Sequence, residues 1–115
     1  MIEVDILFAA VPVENFDSGV AWSTQLFGRA ADVVVTDDEV MWRFGDTAWL
    51  YVLRDPERAG HTLVTLCVSD LDQTVADIEG RGITCGPLQI VGEAGRKAVV
   101  TDADGNAVSF VEVPG

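Results

Sequence analysis

One short pattern occurs twice in this chain. Val13-Glu14-Asn15-Phe16-Asp17 is followed 55 positions later by Val68-Ser69-Asp70-Leu71-Asp72, and Val20 stands at the same offset from Val75. In both copies an apolar residue precedes a group able to cap a helix, then an apolar residue and an acid. A period this long marks duplication of a supersecondary unit. At 115 residues, 49% of them apolar, the chain can close one hydrophobic core but is too short for two ordinary domains. The two units are therefore expected to share residues 1–115 as one domain, with module 1 at about 1–55 and module 2 at about 61–115.

Each module reads strand, helix, then three strands. Val4 to Val13 is apolar at both sets of alternating positions, as a strand covered on both sides requires. Asn15 or Asp17 can cap the helix that follows, with Phe16, Val20, Trp22 and Phe27 at helical spacing and Gly28 as a natural stop. Gly19 weakens that helix slightly. Short β-rich runs at Val33–Thr36, Val40–Phe44 and Ala48–Leu53 are separated by the turn pairs Asp37-Asp38 and Gly45-Asp46. After the polar connection Arg54–Gly60 the plan repeats. A strand is expected at Thr62–Val68, then a helix capped by Asp70 or Asp72 and ending near Gly80 to Gly82. Strands follow at Leu88–Val91, Lys97–Thr101 and Ala107–Val113. Two helices can cover only one face of such sheets, yet the strands are apolar on both. The second face implies a cavity or a partner subunit.

Seven basic against nineteen acidic residues give a net charge of −12, which repels nucleic-acid phosphates and anionic membranes. The same field would concentrate a cationic ligand, although an acidic surface more commonly serves solubility. No apolar run approaches the roughly 18 residues of a membrane-spanning helix, and Met1-Ile2-Glu3-Val4-Asp5 lacks the basic start of a secretion signal. A cytoplasmic protein is expected. Cys67 and Cys85 lack Cys-x-x-Cys spacing and read as free thiols.

The order and spacing of Val11-Pro-Val-Glu-Asn-Phe-Asp17 leading to Leu26-Phe-Gly28, Val68-Ser-Asp-Leu-Asp72 leading to Gly82, and Asp102-Ala-Asp-Gly-Asn106 before the last strand resemble the vicinal oxygen chelate superfamily. That superfamily includes glyoxalase I, bleomycin-resistance proteins and extradiol dioxygenases. The resemblance spans nearly the whole chain. It implies an α+β fold of two βαβββ modules, a curved and mostly antiparallel eight-stranded sheet around a cleft with helices on the outer face, commonly in a homodimer.

Enzymes of this superfamily usually hold a divalent metal with His, Glu or Gln, one from each of four cleft-facing strands. Carried over by spacing, the resemblance places these positions at Phe8, Trp49, Leu63 and Ser109. Phenyl and isobutyl groups offer a cation no lone pair, indole only donates, and one hydroxyl is a poor ligand. No metal and no cofactor are expected. His61, the only histidine, precedes the second module's first strand and reads as a loop residue. Asp102 and Asp104 read as turn chemistry and not as a calcium loop. No nucleophile paired with a base is visible, and there is no phosphate loop or Gly-x-Gly-x-x-Gly. No catalytic residue is assigned.

The aromatic residues carry the remaining signal. Phe8, Trp49 and Tyr51 are expected on one concave face, where aromatic walls hold flat or cationic ligands by stacking and cation–π attraction. Trp42, Leu63 and Ser109 complete the expected ligand-binding set. Trp22 is expected to pack between helix and sheet, and Arg43 to face either the cleft or solvent. The resulting expectation is a metal-free binding protein, similar in role to bleomycin-resistance proteins, that sequesters an aromatic and cationic small molecule. Two alternatives compete with it. One is a glyoxalase-like lyase, isomerase or dioxygenase with a non-standard or absent metal site, and the other is a non-catalytic assembly module.

Overall fold

The computed structural model describes residues 1–113; residues 114 and 115, the end of the expected second module, lie outside the described residues. The first unit runs β1 (Leu7–Val13), α1 (Phe16–Phe27), β2 (Val33–Thr36), β3 (Glu39–Phe44) and β4 (Ala48–Arg54). The second runs β5 (Leu63–Cys67), α2 (Leu71–Gly80), β6 (Gln89–Val91), β7 (Gly95–Thr101) and β8 (Ala107–Glu112). The expected βαβββ repeat is therefore present twice. Strand order is β1-β4-β3-β2 in the first sheet and β5-β8-β7-β6 in the second. β1 and β5 pair in parallel with β4 and β8, and the other four pairings are antiparallel. The eight strands thus divide between two four-stranded mixed sheets, and neither sheet closes on itself.

Local chemistry sets the boundaries. Asn15 caps α1, its side-chain oxygen accepting from the Ser18 N–H at 3.0 Å, and Asp70 caps α2 by accepting from the Gln73 N–H at 3.0 Å. Gly28 ends α1 in the left-handed region at φ 73°. Gly19 is tolerated in mid-helix because β1 passes close by: a Cβ there would lie 2.8 Å from a Val13 methyl. The first strand starts at Leu7 and not at Val4. Its partner β4 begins at Ala48, opposite Leu7, so residues before Leu7 have no ladder to join.

Two apolar clusters meet around α1. Val11, Val13, Val40, Trp42, Leu50 and Val52 form one under the first sheet. Leu71, Ile78, Ala98, Val100, Val108 and Phe110 form the other under the second sheet, and Leu26 from α1 joins it. Phe27 and Val64 pack against both. Burying side chains of this size contributes about 1.5–3 kcal/mol each. The helix-facing sides of both sheets therefore belong to one continuous core.

Polar groups close the seam. The Asn106 side chain, fully buried, accepts from the Gly60 and Thr62 N–H groups at 3.1 Å each. Its amide donates to the Pro12 carbonyl at 2.7 Å and to Asp102 Oδ2 at 2.8 Å. One amide thus joins β1, the connection between units and the β7–β8 turn. The Thr62 hydroxyl adds a bond to the Ala10 carbonyl at 2.8 Å. On the far side Arg81, just past α2, donates to the Gln25 and Leu26 carbonyls at 2.6 and 2.7 Å, and Gln25 Nε2 donates back to the Arg81 carbonyl.

Helix α2 is held to its sheet by Glu112. One carboxylate oxygen accepts from the Leu71 N–H at 2.9 Å and the other from Arg96 at 3.0 Å. The Leu71 N–H first, then the Arg96 side chain, hold the Glu112 carboxyl below its ordinary value.

Two predictions follow from these contacts. Replacing Asn106 with Leu strands buried partners and should destabilise the protein by about 3 kcal/mol or more, read as a lowered urea midpoint; an unchanged midpoint would show that the amide does not hold the seam. A group whose folded pKa is depressed stabilises above its unfolded pKa and loses that contribution as pH falls through the folded value. The stability gap between wild type and Glu112→Gln should therefore be present at pH 7 and shrink toward zero below the ordinary glutamate range, measured by denaturation across pH.

Candidate functional site

Strand alternation leaves each sheet one face away from the shared core. In the first sheet Val11, Val13, Val40, Trp42, Leu50 and Val52 point to the helix side. Their neighbours Phe8, Trp49, Tyr51, Met41 and Arg43 therefore occupy the open face. Register sets Phe8 beside Trp49 and Trp49 beside Arg43, while Tyr51 lies between Ala10 and Met41. The Phe8 and Trp49 rings stack with centroids 6.3 Å apart and 24° between planes; Phe8 and Tyr51 meet edge-on at 6.4 Å. The Arg43 guanidinium lies 5.9 Å from the Trp49 ring centroid. Phe8 is 48% exposed, a large value for a phenylalanine in a strand.

Neighbouring loops hold this platform. Arg43 donates from Nε to the Gly45 carbonyl at 2.8 Å and from Nη2 to Asp46 at 3.2 Å. Its backbone N–H donates to Asp32 at 2.7 Å, and its carbonyl accepts from Arg29 at 2.7 Å. Hydrogen bonding to the Arg29 side chain, then to the Arg43 N–H, lowers the Asp32 carboxyl from its ordinary value.

On the second sheet's open face Leu63 is 73% exposed beside Ala107, whereas Ser109 is 3% exposed between Thr65 and Val99. The expected residues thus fall into two sets, Phe8, Trp49 and Tyr51 on one sheet and Leu63 and Ser109 on the other. Register also shifts one correspondence. Trp49 lies beside Phe8, and Ala107 lies beside Leu63, the residue equivalent to Phe8. Trp49 therefore matches Ala107, and Ser109 matches Tyr51: Arg43 to Trp49 and Thr101 to Ala107 span the same number of residues, but Gly45 stands at the start of its turn and Gly105 at the end.

Trp42 stands apart from the other expected contacts. It is fully buried on the helix side, 5.5 Å from Phe27 between ring centroids, and its indole N–H donates to the Arg29 carbonyl at 3.0 Å. A strand pattern apolar on both faces did not reveal which side is inner. Trp42 is a core residue and not part of the aromatic platform.

The residues at the four metal-ligand positions do not fit a divalent cation. Phe8, Leu63 and Trp49 have no lone pair to give; with Tyr51 as the register match of Ser109, two hydroxyls remain, a poor set for such an ion. Among the described residues no three His, Cys, Asp or Glu cluster as a metal site would require. His61 is exposed, next to the start of β5. Cys67 and Cys85 are free, and burial, then the Glu79 charge, pushes the Cys85 thiol up, away from thiolate reactivity.

Two hollows escaped sequence reasoning. One, of about 660 Å³, is walled by acids including Glu14, Asp17, Asp37 and Asp104 with Arg54, and has a single aromatic, Phe16. Asp104 there already accepts from the Glu14 N–H. The other, of about 400 Å³, is apolar and lies where Phe27, Phe44 and Ala48 meet Leu66, Val68 and Phe110. It gathers residues from both units, so neither unit's sequence signals it.

Comparison with known proteins places this geometry. A structure described as a glyoxalase/bleomycin resistance protein from Catenulispora acidiphila superposes with a TM-score of 0.89 at 33% identity, covering 95% of this chain and 98% of that one. The chain belongs to the glyoxalase/bleomycin-resistance family, within the vicinal oxygen chelate superfamily. Two more distant members of this fold are a bleomycin-binding protein from Streptomyces verticillus complexed with copper(II)-bleomycin and a lactoylglutathione lyase from Agrobacterium tumefaciens. The first has a TM-score of 0.78 at 21% identity and covers 99% of this chain and 100% of its own; the second has 0.77 at 16%, with 93% and 92%. No family model and no curated protein matches the sequence. Family membership and the open aromatic face support binding of small molecules.

The opposite placement of two tryptophans gives a direct check. Trp49→Phe should remove emission that acrylamide quenches easily and barely alter stability. Trp42→Phe should remove shielded emission and lower the thermal midpoint, since a buried ring is truncated and the Arg29 carbonyl loses its donor.

Proposed function

We propose that this protein is a metal-free small-molecule-binding protein, similar in role to bleomycin-binding proteins, that sequesters an aromatic ligand. The observation that carries this reading is the platform of Phe8, 48% exposed, with the partly buried Trp49 and Tyr51 rings at centroid distances of 6.3 and 6.4 Å from it. Packing alone gives no reason to gather three rings on an outer face and leave Phe8 at the surface, whereas a flat ligand covers it and gains stacking. The net charge of −12 favours a ligand that also carries positive charge. Sequestration breaks no bond, so it needs neither the acid–base pair nor the cation that this set of side chains is poorly equipped to hold. An antibiotic is a ligand of the right kind.

The protein would act as a cytoplasmic homodimer. The open faces of both sheets lie away from the chain's own core, and Leu63, 73% exposed, and Val33, 41% exposed beside Met41, need covering. Setting one copy's first sheet against its partner's second sheet would bring Leu63 and Ser109 opposite Phe8 and Trp49. The two free thiols accord with a reducing compartment.

Titration with bleomycin and a panel of aromatic antibiotics, followed by tryptophan fluorescence, tests the reading. At least one compound should bind, and Trp49→Ala or Phe8→Ala should weaken it about tenfold, as loss of a stacking contact worth roughly 1–2 kcal/mol implies. Silence across the panel would favour an assembly module. Stoichiometric Zn, Ni, Mn or Fe in protein purified without chelators would favour an enzyme. Light scattering should give the mass of a dimer, and a monomer would remove the two-chain cleft.

A further inference from the structure

Arg43 stands on the open face with its side chain half-exposed. Its backbone N–H and carbonyl are tied to Asp32 and Arg29, and its Nε and Nη2 to Gly45 and Asp46. Nη1 alone has no acceptor among the described residues. The guanidinium carbon lies 5.9 Å from the Trp49 ring centroid, and Phe8 stacks on the other side of that residue in the ladder. The Nε and Nη2 bonds thus direct a hydrogen-bond donor to the margin of an aromatic platform, where an incoming ligand can reach it.

We propose that Arg43 is a specificity-determining residue, recognising a ring-borne carbonyl or phenolic oxygen on an aromatic ligand stacked against Phe8 and Trp49. This rests on the platform being the binding site. A neutral oxygen is the favoured partner over a carboxylate for two reasons. Asp46 already balances the guanidinium at 3.2 Å, and the −12 charge of the chain opposes a further anion. A hydrogen bond from a charged donor to an uncharged oxygen discriminates well, because the competing ring without oxygen leaves the donor covered and unpaired.

Three naphthalenes of one shape test the assignment with the full-length protein: 2-acetylnaphthalene, 2-ethylnaphthalene and 2-naphthoate, titrated by tryptophan fluorescence and calorimetry. Wild type should bind the ketone about tenfold tighter than the hydrocarbon and no more weakly than the carboxylate. Arg43→Leu should bind the ketone no tighter than it binds the hydrocarbon. Arg43→Gln, whose shorter amide withdraws the donor, should reproduce the loss, and a thermal melt of each variant confirms folding. Equal affinity of wild type for ketone and hydrocarbon, or a preference that survives both substitutions, would reduce Arg43 to a brace for the Gly45-Asp46 turn. Much tighter binding of 2-naphthoate would overturn the choice of a neutral acceptor. If none of the three binds and Trp49 emission never changes, the aromatic-site reading itself fails, a result distinct from equal binding.

Discussion

A single buried amide sets the relation between the two halves of this protein. Asn106 accepts two backbone N–H groups from the connection and donates to β1 and to its own turn, so all its bonding capacity is used inside the protein. Without it the Gly60 and Thr62 donors and the Pro12 carbonyl would lie at a closed seam without partners. The apolar contacts of Leu26, Phe27 and Val64 hold the units together by area, but area fixes no register. The amide does. It ties β1 of the first unit to the connection and to the β7–β8 turn of the second at fixed positions.

The open faces inherit their chemistry from unequal divergence of the repeat. At matched positions the first sheet carries Phe8, Trp49, Tyr51 and Met41, and the second carries Leu63, Ala107, Ser109 and Val99. Each replacement is smaller. One open face is therefore broad and aromatic, and the other is built of smaller side chains.

Much of the architecture was legible because local chemistry and hydrophobic periodicity agreed. The repeat, both helix caps, the Gly28 stop and the bounds of β2 stand where the residues alone place them. The site was only partly legible. Phe8, Trp49 and Tyr51 do share a face, but alternation in a strand apolar on both sides carries no label for inside, so Trp42 was grouped with them. The match between Trp49 and Ser109 slipped by two residues because a count from glycine assumes that Gly45 and Gly105 hold the same place in their turns. Asn106 looked like turn chemistry, and nothing nearby in sequence announces partners 94 residues away.

Arg81 bears on how such a chain could have arisen. It donates to the Gln25 and Leu26 carbonyls at the end of α1, groups that a helix cannot satisfy internally. A lone half-length ancestor would have left those carbonyls to water or to a second copy of itself. Tethering the halves through the short stretch from Asp55 to Thr62 raises the effective concentration of one for the other. What had been a chance encounter between molecules becomes a permanent internal fit, leaving the outer surfaces free to diverge toward other company.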